Sequence, residues 1–169
     1  FTSGSTGQKK GVIIKKSSFI NYVNNLRKVF EKKTKPKSIL INGEMTFDIS
    51  LADFAFAFIF NAGLSITNDS RNLISLIFML SKYKINSLYV VPSTLEKISV
   101  FLKKNKNYDF SNTIQINCGG ELLSYKLVKD VKKIFKNADF YNFYGPTEFT
   151  INATYHKIDL NRHYASDTI

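Results

Sequence analysis

The stretch Ser87-Leu-Tyr-Val-Val-Pro-Ser-Thr94 decides the fold class, because within it a strand leads directly into a helix. The apolar run over residues 88–91 is typical of a strand, and we predict a strand over residues 87–91. Pro92 suits the first turn of a helix, where an N–H group would have no partner in any case. We predict a helix from Pro92 to about Lys104 and a further strand over residues 113–118, which together make a strand–helix–strand unit.

The same alternation continues toward both ends of the chain. Short apolar runs predict strands over residues 11–15, 38–42, 64–67 and 138–142. Helical spacing predicts helices over residues 18–30, 48–60, 71–83 and 124–135. Strands that alternate with helices of this length indicate an α/β fold with a largely parallel sheet covered by helices. Ligands of such sheets bind outside the carboxyl ends of the strands.

Composition and apolar patterning place the chain among folded proteins without membrane spans. Of its 169 residues, 44% are hydrophobic and only 3 are proline, so a core can form. The single cysteine, Cys118, excludes an internal disulfide framework and suits a reducing cytoplasm. The apolar run over residues 47–66 is interrupted by Asp48, Asp53 and Asn61, which favours a buried helix over a membrane span.

A net charge of +11 raises the alternative of a non-catalytic basic module that binds nucleic acid. The lysines are spread along the whole chain, however, and we expect no nucleic-acid partner. Lys129, Lys132, Lys133 and Lys136 would share one face of a helix. This face is either simply solvated, which we favour, or a docking surface for an acidic protein.

The first eleven residues, Phe1-Thr-Ser-Gly-Ser-Thr-Gly-Gln-Lys-Lys-Gly11, have the composition of a phosphate-binding loop. Glycine lets backbone N–H groups turn toward an anion, hydroxyls add neutral donors, and lysine adds charge. An isolated stretch of this kind is usually a surface turn. The spacing does not fit a Walker loop, because Lys9 stands where the second glycine belongs, and the stretch contains no Gly-x-Gly.

These eleven residues resemble the signature loop of the adenylate-forming superfamily and align with it without a gap. Lys9 stands in place of the usual proline. Asn142-Phe-Tyr-Gly-Pro-Thr-Glu148 resembles the adenine motif of the same superfamily, and Gly119-Gly120-Glu121 resembles its glycine-rich turn. The motifs stand in the order of the family. The resemblance implies that the chain, residues 1–169, is a central fragment of the large N-terminal, AMP-binding domain. The small C-terminal domain with its catalytic lysine would lie outside it, so we expect no turnover by these residues alone.

Phe47-Asp-Ile-Ser50 resembles the motif of the amino-acid-activating branch, which includes the adenylation domains of nonribosomal peptide synthetases and D-alanine–carrier-protein ligases. There the aspartate pairs with the amino group of the substrate, which implies the same role for Asp48. A partly buried carboxylate needs a cation, and an ammonium substrate would supply it. The alternative is that Asp48 caps the helix that follows it.

The resemblance also implies a full set of site residues. ATP would be bound by Thr2, Ser3, Gly4, Ser5, Thr6, Gly7, Lys10, Gly119, Gly120, Glu121, Asn142, Phe143, Tyr144, Gly145 and Thr147. Catalysis would depend on Lys10, Thr147 and Glu148, with Glu148 as the magnesium ligand. The amino acid would be lined by Asp48, Ile49, Ala52, Val90, Asn117, Gly119, Phe143, Ile151 and Asn152. Ala52 and Gly119 would leave room in this pocket, which argues against the smallest substrates.

The function implied is activation of an amino acid by ATP and Mg²⁺ to an aminoacyl-adenylate with release of pyrophosphate. The acyl group would then pass to the phosphopantetheine thiol of a carrier protein. An acyl- or aryl-CoA synthetase of the same superfamily is the alternative, although an aspartate for an amino group would have no purpose there. We expect a cytoplasmic enzyme without a membrane partner.

Overall fold

A computed structural model describes residues 2–3, 9–30, 35–67, 69, 71–162, 164 and 167–168. Its helices are α1 (Lys16–Phe30), α2 (Ile49–Phe60), α3 (Leu73–Lys82), α4 (Pro92–Lys104) and α5 (Tyr125–Lys132). Its strands are β1 (Thr2–Ser3), β2 (Lys9–Lys10), β3 (Ser38–Ile41), β4 (Gly63–Ile66), β5 (Ser87–Val90), β6 (Gln115–Cys118), β7 (Asp139–Tyr144) and β8 (Thr154–Lys157). The predicted alternation of strands and helices is confirmed from β3 to β7.

The main sheet has six strands in the order β4-β3-β5-β6-β7-β8. All neighbouring pairs are parallel except the last, in which β8 runs antiparallel to β7. The predicted α/β class with a largely parallel sheet is therefore confirmed. The antiparallel β8 was not predicted, because its sequence Thr-Tyr-His-Lys carries no apolar run.

The strand predicted over residues 11–15 is wrong. These residues form no strand, and the side chain of Ile13 is 97% exposed. An apolar run becomes a strand only where a neighbouring strand accepts and donates its backbone hydrogen bonds. Here the short antiparallel pair of β1 and β2 ends at Lys10, and α1 begins at Lys16.

Two hydrophobic clusters form, one on each face of the sheet. On one face, α1 and α2 pack Tyr22, Phe30 and Phe56 against the sheet. On the other face, α3, α4 and α5 bury a larger set that includes Leu88 and Val90 of β5. Because side chains alternate along a strand, Tyr89 belongs to the first face and its two neighbours belong to the second.

The apolar α2 is a buried helix, as predicted for this run. It has 12 residues, and Ala52, Ala55 and Phe56 are each at most 3% exposed. Across the part of the chain that the structure describes, no helix combines the length and the apolar character that a membrane span requires.

The order of the strands creates a crevice between β3 and β5. From β3 the chain crosses outward to the edge strand β4, and it then returns to β5 on the other side of β3. The connections that leave β3 and β5 therefore diverge beyond the carboxyl ends of these strands. Such a switch point is where open α/β sheets bind ligands. The residues that follow these two strands, Asn42 and Val91, both line a cavity.

Candidate functional site

A cavity of about 530 Å³ lies at the carboxyl ends of the central strands. It contains residues from the connections after β3, β5, β6 and β7, which are distant in sequence. The predicted site residues that line it are Asp48, Ile49, Val90, Gly120, Glu121, Gly145, Thr147, Glu148, Ile151 and Asn152. The sheet topology thus brings the predicted substrate, nucleotide and magnesium residues to one opening.

Carboxylates dominate the charge of this cavity. Glu44, Asp48, Glu121 and Glu148 line it, and no lysine or arginine is among the described residues that do so. The chain as a whole carries a charge of +11, so the charge of the cavity is opposite in sign to that of the whole chain. Such a site favours a cationic group or a metal ion bound with its anionic ligand.

Two of the four carboxylates are already paired with other groups of the protein. Glu44 forms an ion pair with Arg71, with 3.0 Å between carboxylate oxygen and guanidinium nitrogen. Glu121 accepts hydrogen bonds from the backbone N–H of Ser93 at 2.8 Å and from its hydroxyl at 2.9 Å. The Glu121 side chain therefore caps the first turn of α4.

Asp48 stands at the N-cap position of α2 but does not cap it. Its side chain makes no capping hydrogen bond, and its backbone is already helical, with φ −64° and ψ −23°. Only its backbone carbonyl joins the helix, by accepting from the N–H of Leu51 at 2.9 Å. The capping alternative for Asp48 is therefore not supported. Its half-buried carboxylate lines the cavity and, among the described residues, takes part in no ion pair.

Glu148 is exposed and lies in a single turn of 3₁₀ helix over Thr147–Phe149. Like Asp48, it lines the cavity without an ion pair in the described part of the chain. Magnesium is commonly held by one or two carboxylates together with the phosphates of a nucleotide. One free carboxylate and the hydroxyl of Thr147 at an open cavity fit that arrangement.

The adenine-type motif begins within β7, where side chains alternate between the two faces. Phe143 is 3% exposed and packs among the aromatic rings under α1 and α2, whereas Tyr144 is 71% exposed. Asn142 is half-buried. An exposed tyrosine ring at a strand end is suited to stacking on a base. Phe143, predicted for both nucleotide and substrate, instead faces the core and a second cavity of about 670 Å³ beside α1.

Close packing explains the glycine of Tyr144-Gly145-Pro146. A Cβ atom at residue 145 would lie 2.5 Å from the backbone nitrogen of Ala153 and 2.6 Å from Cα of Asn152. The two segments are held together by a hydrogen bond from the N–H of Ala153 to the carbonyl of Tyr144, 2.9 Å long. Gly145 therefore permits the contact that brings Asn152 to the cavity.

The phosphate-type loop is described only at its two ends. Thr2 pairs with Lys10, and Ser3 pairs with Lys9, in the antiparallel β1–β2 ladder. Lys10 is exposed. The remaining predicted ligands of the loop, Gly4, Ser5, Thr6 and Gly7, lie outside the described residues.

The predicted substrate residue Val90 and its neighbour Tyr89 both line the cavity, but their side chains lie on opposite faces of the sheet. The side chain of Val90 belongs to the hydrophobic cluster beneath α3, α4 and α5, although the residue contributes to the edge of the cavity. Tyr89 lies on the same face as the other predicted substrate residues and also lines the cavity. The spacing from Pro92 located the strand, but it did not reveal which of the two neighbouring side chains shares a face with Ile49 and Ile151.

Three further residues predicted to line the substrate, Ala52, Asn117 and Gly119, do not reach the cavity. Ala52 is fully buried, and Asn117 is 1% exposed and accepts a hydrogen bond from the Gln115 side chain at 2.9 Å. A Cβ atom on Gly119 would lie 2.3 Å from the hydroxyl oxygen of Tyr89. Tyr89 thus occupies the space in front of Gly119.

An acidic residue within α2, Asp53, lies one turn and a half along the helix from Asp48 and was not among the predicted site residues. Asp53 is 1% exposed, and its Oδ2 atom has no hydrogen-bond partner among the described residues. Burial raises the pKa of this carboxyl well above its ordinary value. Burial is the main cause that raises the pKa of the Tyr22 and Tyr89 hydroxyls, and the Asp53 carboxylate raises both a little further. In the sequence, the only indication of this buried carboxylate is that an acidic residue stands inside an apolar run.

We expect Asp53→Asn to stabilise the protein at neutral pH. A raised native pKa means that the wild-type protein loses stability as pH rises from the ordinary aspartate range, about 4, toward the native pKa. The gain from the substitution should therefore shrink to nearly zero as pH falls to about 4. Urea unfolding between pH 4 and 7.5 measures it. Asp109→Asn is a control of opposite sign, because hydrogen bonds from Ser111 lower the pKa of Asp109. A gain that does not vary with pH would contradict this prediction.

The comparisons with known proteins point to the same family. The model of the family described as AMP-binding enzyme matches residues 1–169. Tyrocidine synthase 3 of Brevibacillus parabrevis is 30% identical over 169 residues, which are 98% of this chain and 2% of that protein. Indigoidine synthase of Streptomyces lavendulae is 31% identical over 163 residues, which are 94% of this chain and 12% of that protein. The chain therefore spans only a small part of these relatives.

Among solved structures, the fold is similar to that of the Vibrio cholerae adenylation domain AlmE in complex with glycyl-adenosine-5′-phosphate. The TM-score is 0.84 with 23% sequence identity, over 99% of this chain and 31% of that one. The shared fold is that of an adenylation domain, as the three sequence motifs predicted. The chain belongs to the family of AMP-binding enzymes, within the adenylate-forming superfamily, and its relatives include nonribosomal peptide synthetases.

Proposed function

We propose that the protein containing these residues activates an amino acid by forming its aminoacyl-adenylate from ATP. The observation that carries the proposal is Asp48, a half-buried carboxylate at the head of α2 that neither caps the helix nor pairs with a described cation. It lines the same cavity as Glu148, so an ammonium group and a nucleotide phosphate can be bound side by side. A fatty or aryl acid offers no cation to Asp48.

In this proposal each residue has one task. Asp48 holds the ammonium group of the amino acid, which leaves the substrate carboxylate free to attack the α-phosphate of ATP. A carboxylate-oxygen-to-phosphorus bond forms, the bond between the α-phosphate and the bridging oxygen breaks, and pyrophosphate leaves. Lys10 and the loop of Thr2 and Ser3 bind the phosphates. Glu148 would hold the magnesium ion, which offsets the charge that develops there.

The adenine would rest against Tyr144 and the backbone of residues 119–121. Transfer of the acyl group to the phosphopantetheine thiol of a carrier protein is the second half-reaction that we propose, in the cytoplasm. The relatives that are peptide synthetases support this step. The AlmE structure contains a glycyl-adenylate, which is a product of the proposed kind.

The basic helix face offers little support for the nucleic-acid alternative. Lys129 lies over the ring of Tyr125 at 4.5 Å, and Lys132 donates to the carbonyl of Ala138 at 2.7 Å. Lys133 forms an ion pair with Asp130 at 2.8 Å. Three of the lysines predicted to share this face are thus engaged within the protein.

ATP–pyrophosphate exchange by the full-length protein tests the proposal. We expect exchange that depends on an amino acid and is absent with fatty acids of any chain length and with aryl acids. Exchange with an acyl or aryl acid, and with no amino acid, would instead identify an acyl- or aryl-CoA synthetase. Tight, salt-sensitive nucleic-acid binding that ATP does not affect would favour the basic-module alternative.

A further inference from the structure

Tyr89 fills the place where a substrate side chain was expected to go. Ala52 and Gly119 are small, and their sequence positions predicted an open compartment. In the structure, the Tyr89 hydroxyl lies so close to Gly119 that even a methyl group there would overlap it, at 2.3 Å. Tyr89 itself is 2% exposed and forms part of the wall of the cavity. The room made by the small residues is therefore occupied by the protein.

Hydrogen bonds hold the Tyr89 side chain in this position. Its hydroxyl donates to Oδ1 of Asn152 at 3.1 Å, and Nδ2 of Asn152 donates to the hydroxyl of Tyr22 at 3.1 Å. The Tyr89 ring also packs against Phe143, with 5.7 Å between ring centroids. Moving the ring aside would break a buried hydrogen bond inside a packed aromatic cluster, which is costly.

The cavity leaves one direction for the side chain of an amino acid. The ammonium group is bound at Asp48 and the carboxylate must point toward the nucleotide side at Glu148. Tyr89, Ile151 and Asn152 also line this cavity, so we place the third substituent of the α-carbon against these three residues. Overlap with a fixed wall cannot be relieved without moving it, so each added carbon is unfavourable.

We propose that Tyr89 is a specificity-determining residue that restricts this enzyme to the smallest amino acids, glycine and alanine. The inference rests on the proposed function and deepens it by naming the substrate class. It also reverses the expectation, drawn from Ala52 and Gly119, that the smallest substrates would be disfavoured. The physical reason is that a large neighbour on the same strand face fills the space that two small residues leave.

The test compares kcat/KM for glycine, alanine, leucine and phenylalanine in amino-acid-dependent exchange by the full-length protein. We expect the wild-type protein to prefer glycine or alanine over leucine by about 100-fold or more. Tyr89→Ala should reduce this ratio at least about 10-fold by opening the compartment. Tyr89→Phe is the matched control, because the ring that packs against Phe143 remains, and it should retain most of the preference for small substrates.

Binding of non-reactive adenylate mimics, glycyl- and leucyl-sulfamoyladenosine, gives a second readout that requires no turnover. These binding measurements still test the inference if the Tyr89→Ala protein folds but is inactive. If the Tyr89→Ala protein does not fold, Tyr89→Leu takes its place. Efficient wild-type activation of leucine or phenylalanine would overturn the inference while leaving the proposed function intact. An unchanged ratio in the folded Tyr89→Ala protein would also overturn it. Exchange with no amino acid at all would overturn the proposed function and this inference together.

Discussion

Asp48→Asn should reduce amino-acid-dependent exchange by roughly 30- to 1,000-fold while leaving the fold intact. Truncating one partner of a buried, hydrogen-bonded charge pair typically costs about 2–4 kcal/mol, much of it from the charge left unpaired. Here the unpaired charge would be the ammonium group of the amino acid. The loss should appear in kcat/KM for the amino acid, whereas nucleotide binding, measured by fluorescence of an ATP analogue, should change little.

Asparagine is chosen because it separates the two roles considered for Asp48. Asparagine caps a helix about as well as aspartate does, so a capping role would survive the substitution. Since the Asp48 side chain makes no capping hydrogen bond, the stability of Asp48→Ala should likewise stay close to that of the wild-type protein. Full exchange activity in Asp48→Asn, or a loss of about 1 kcal/mol of stability in Asp48→Ala, would contradict the assignment.

Glu44→Gln supplies the matched control. Glu44 lines the same cavity but already pairs with Arg71, and this exposed ion pair is worth little. Both substitutions replace a carboxylate that lines this cavity with the corresponding amide. We expect exchange within about threefold of the wild-type value, since a rim charge mainly affects association. Equal losses in both variants would mean that overall negative charge matters rather than a specific contact by Asp48.

Gly145→Ala should lower the free energy of unfolding by about 3 kcal/mol and also impair the site. The added Cβ would lie within 3 Å of three backbone atoms of residues 152 and 153. Backbone atoms cannot rotate away as a flexible side chain can, so the turn of residues 145–153 has to shift. That shift moves Ile151 and Asn152, which line the cavity. Thermal unfolding should show a midpoint roughly 6–12 °C lower, and exchange should fall with it.

Gly63→Ala is the control for this prediction. A Cβ at residue 63 would meet only the carbonyl oxygen of Lys37, at 3.8 Å, which is an ordinary contact. Alanine also has less conformational freedom to lose than glycine on folding. We expect stability equal to or slightly above that of the wild-type protein. A Gly145→Ala protein as stable as Gly63→Ala would show that the turn can yield, and the close-packing argument would then be wrong.

The local pattern of the chain was enough to predict most of the core elements. Apolar runs of strand length at β3, β5 and β6, each leading to a helix, predicted the α/β class because few other arrangements bury such runs on both faces. The helix α4 begins and ends at the predicted residues, since Pro92 defines its start. The prediction of a strand over residues 11–15 was wrong because these residues have no neighbouring strand to pair with. A local sequence pattern carries no information about such a neighbour.

The sequence predicted many of the residues that line the candidate site, but it did not predict which of them are available to a ligand. Motifs named Asp48, Thr147 and Glu148, and the cavity brings them together. Which carboxylates are free depended on partners far away in sequence, such as Arg71 for Glu44 and the first turn of α4 for Glu121. Tyr89 was not predicted because strand alternation says only that neighbours face opposite sides of the sheet, not which neighbour shares a face with Ile49 and Ile151.

By itself, the sequence determined the fold class, the family and the residues from which the site is built, because these follow from periodicity and from motifs of fixed spacing. Only the tertiary structure decided which of these residues remain available for a ligand. Pairing, burial and the filling of space are properties of residues that are distant in sequence and close in space. For that reason Asp48 has no ion-pair partner among the described residues, Glu121 is hydrogen-bonded to Ser93, and Tyr89 fills the space beside Gly119.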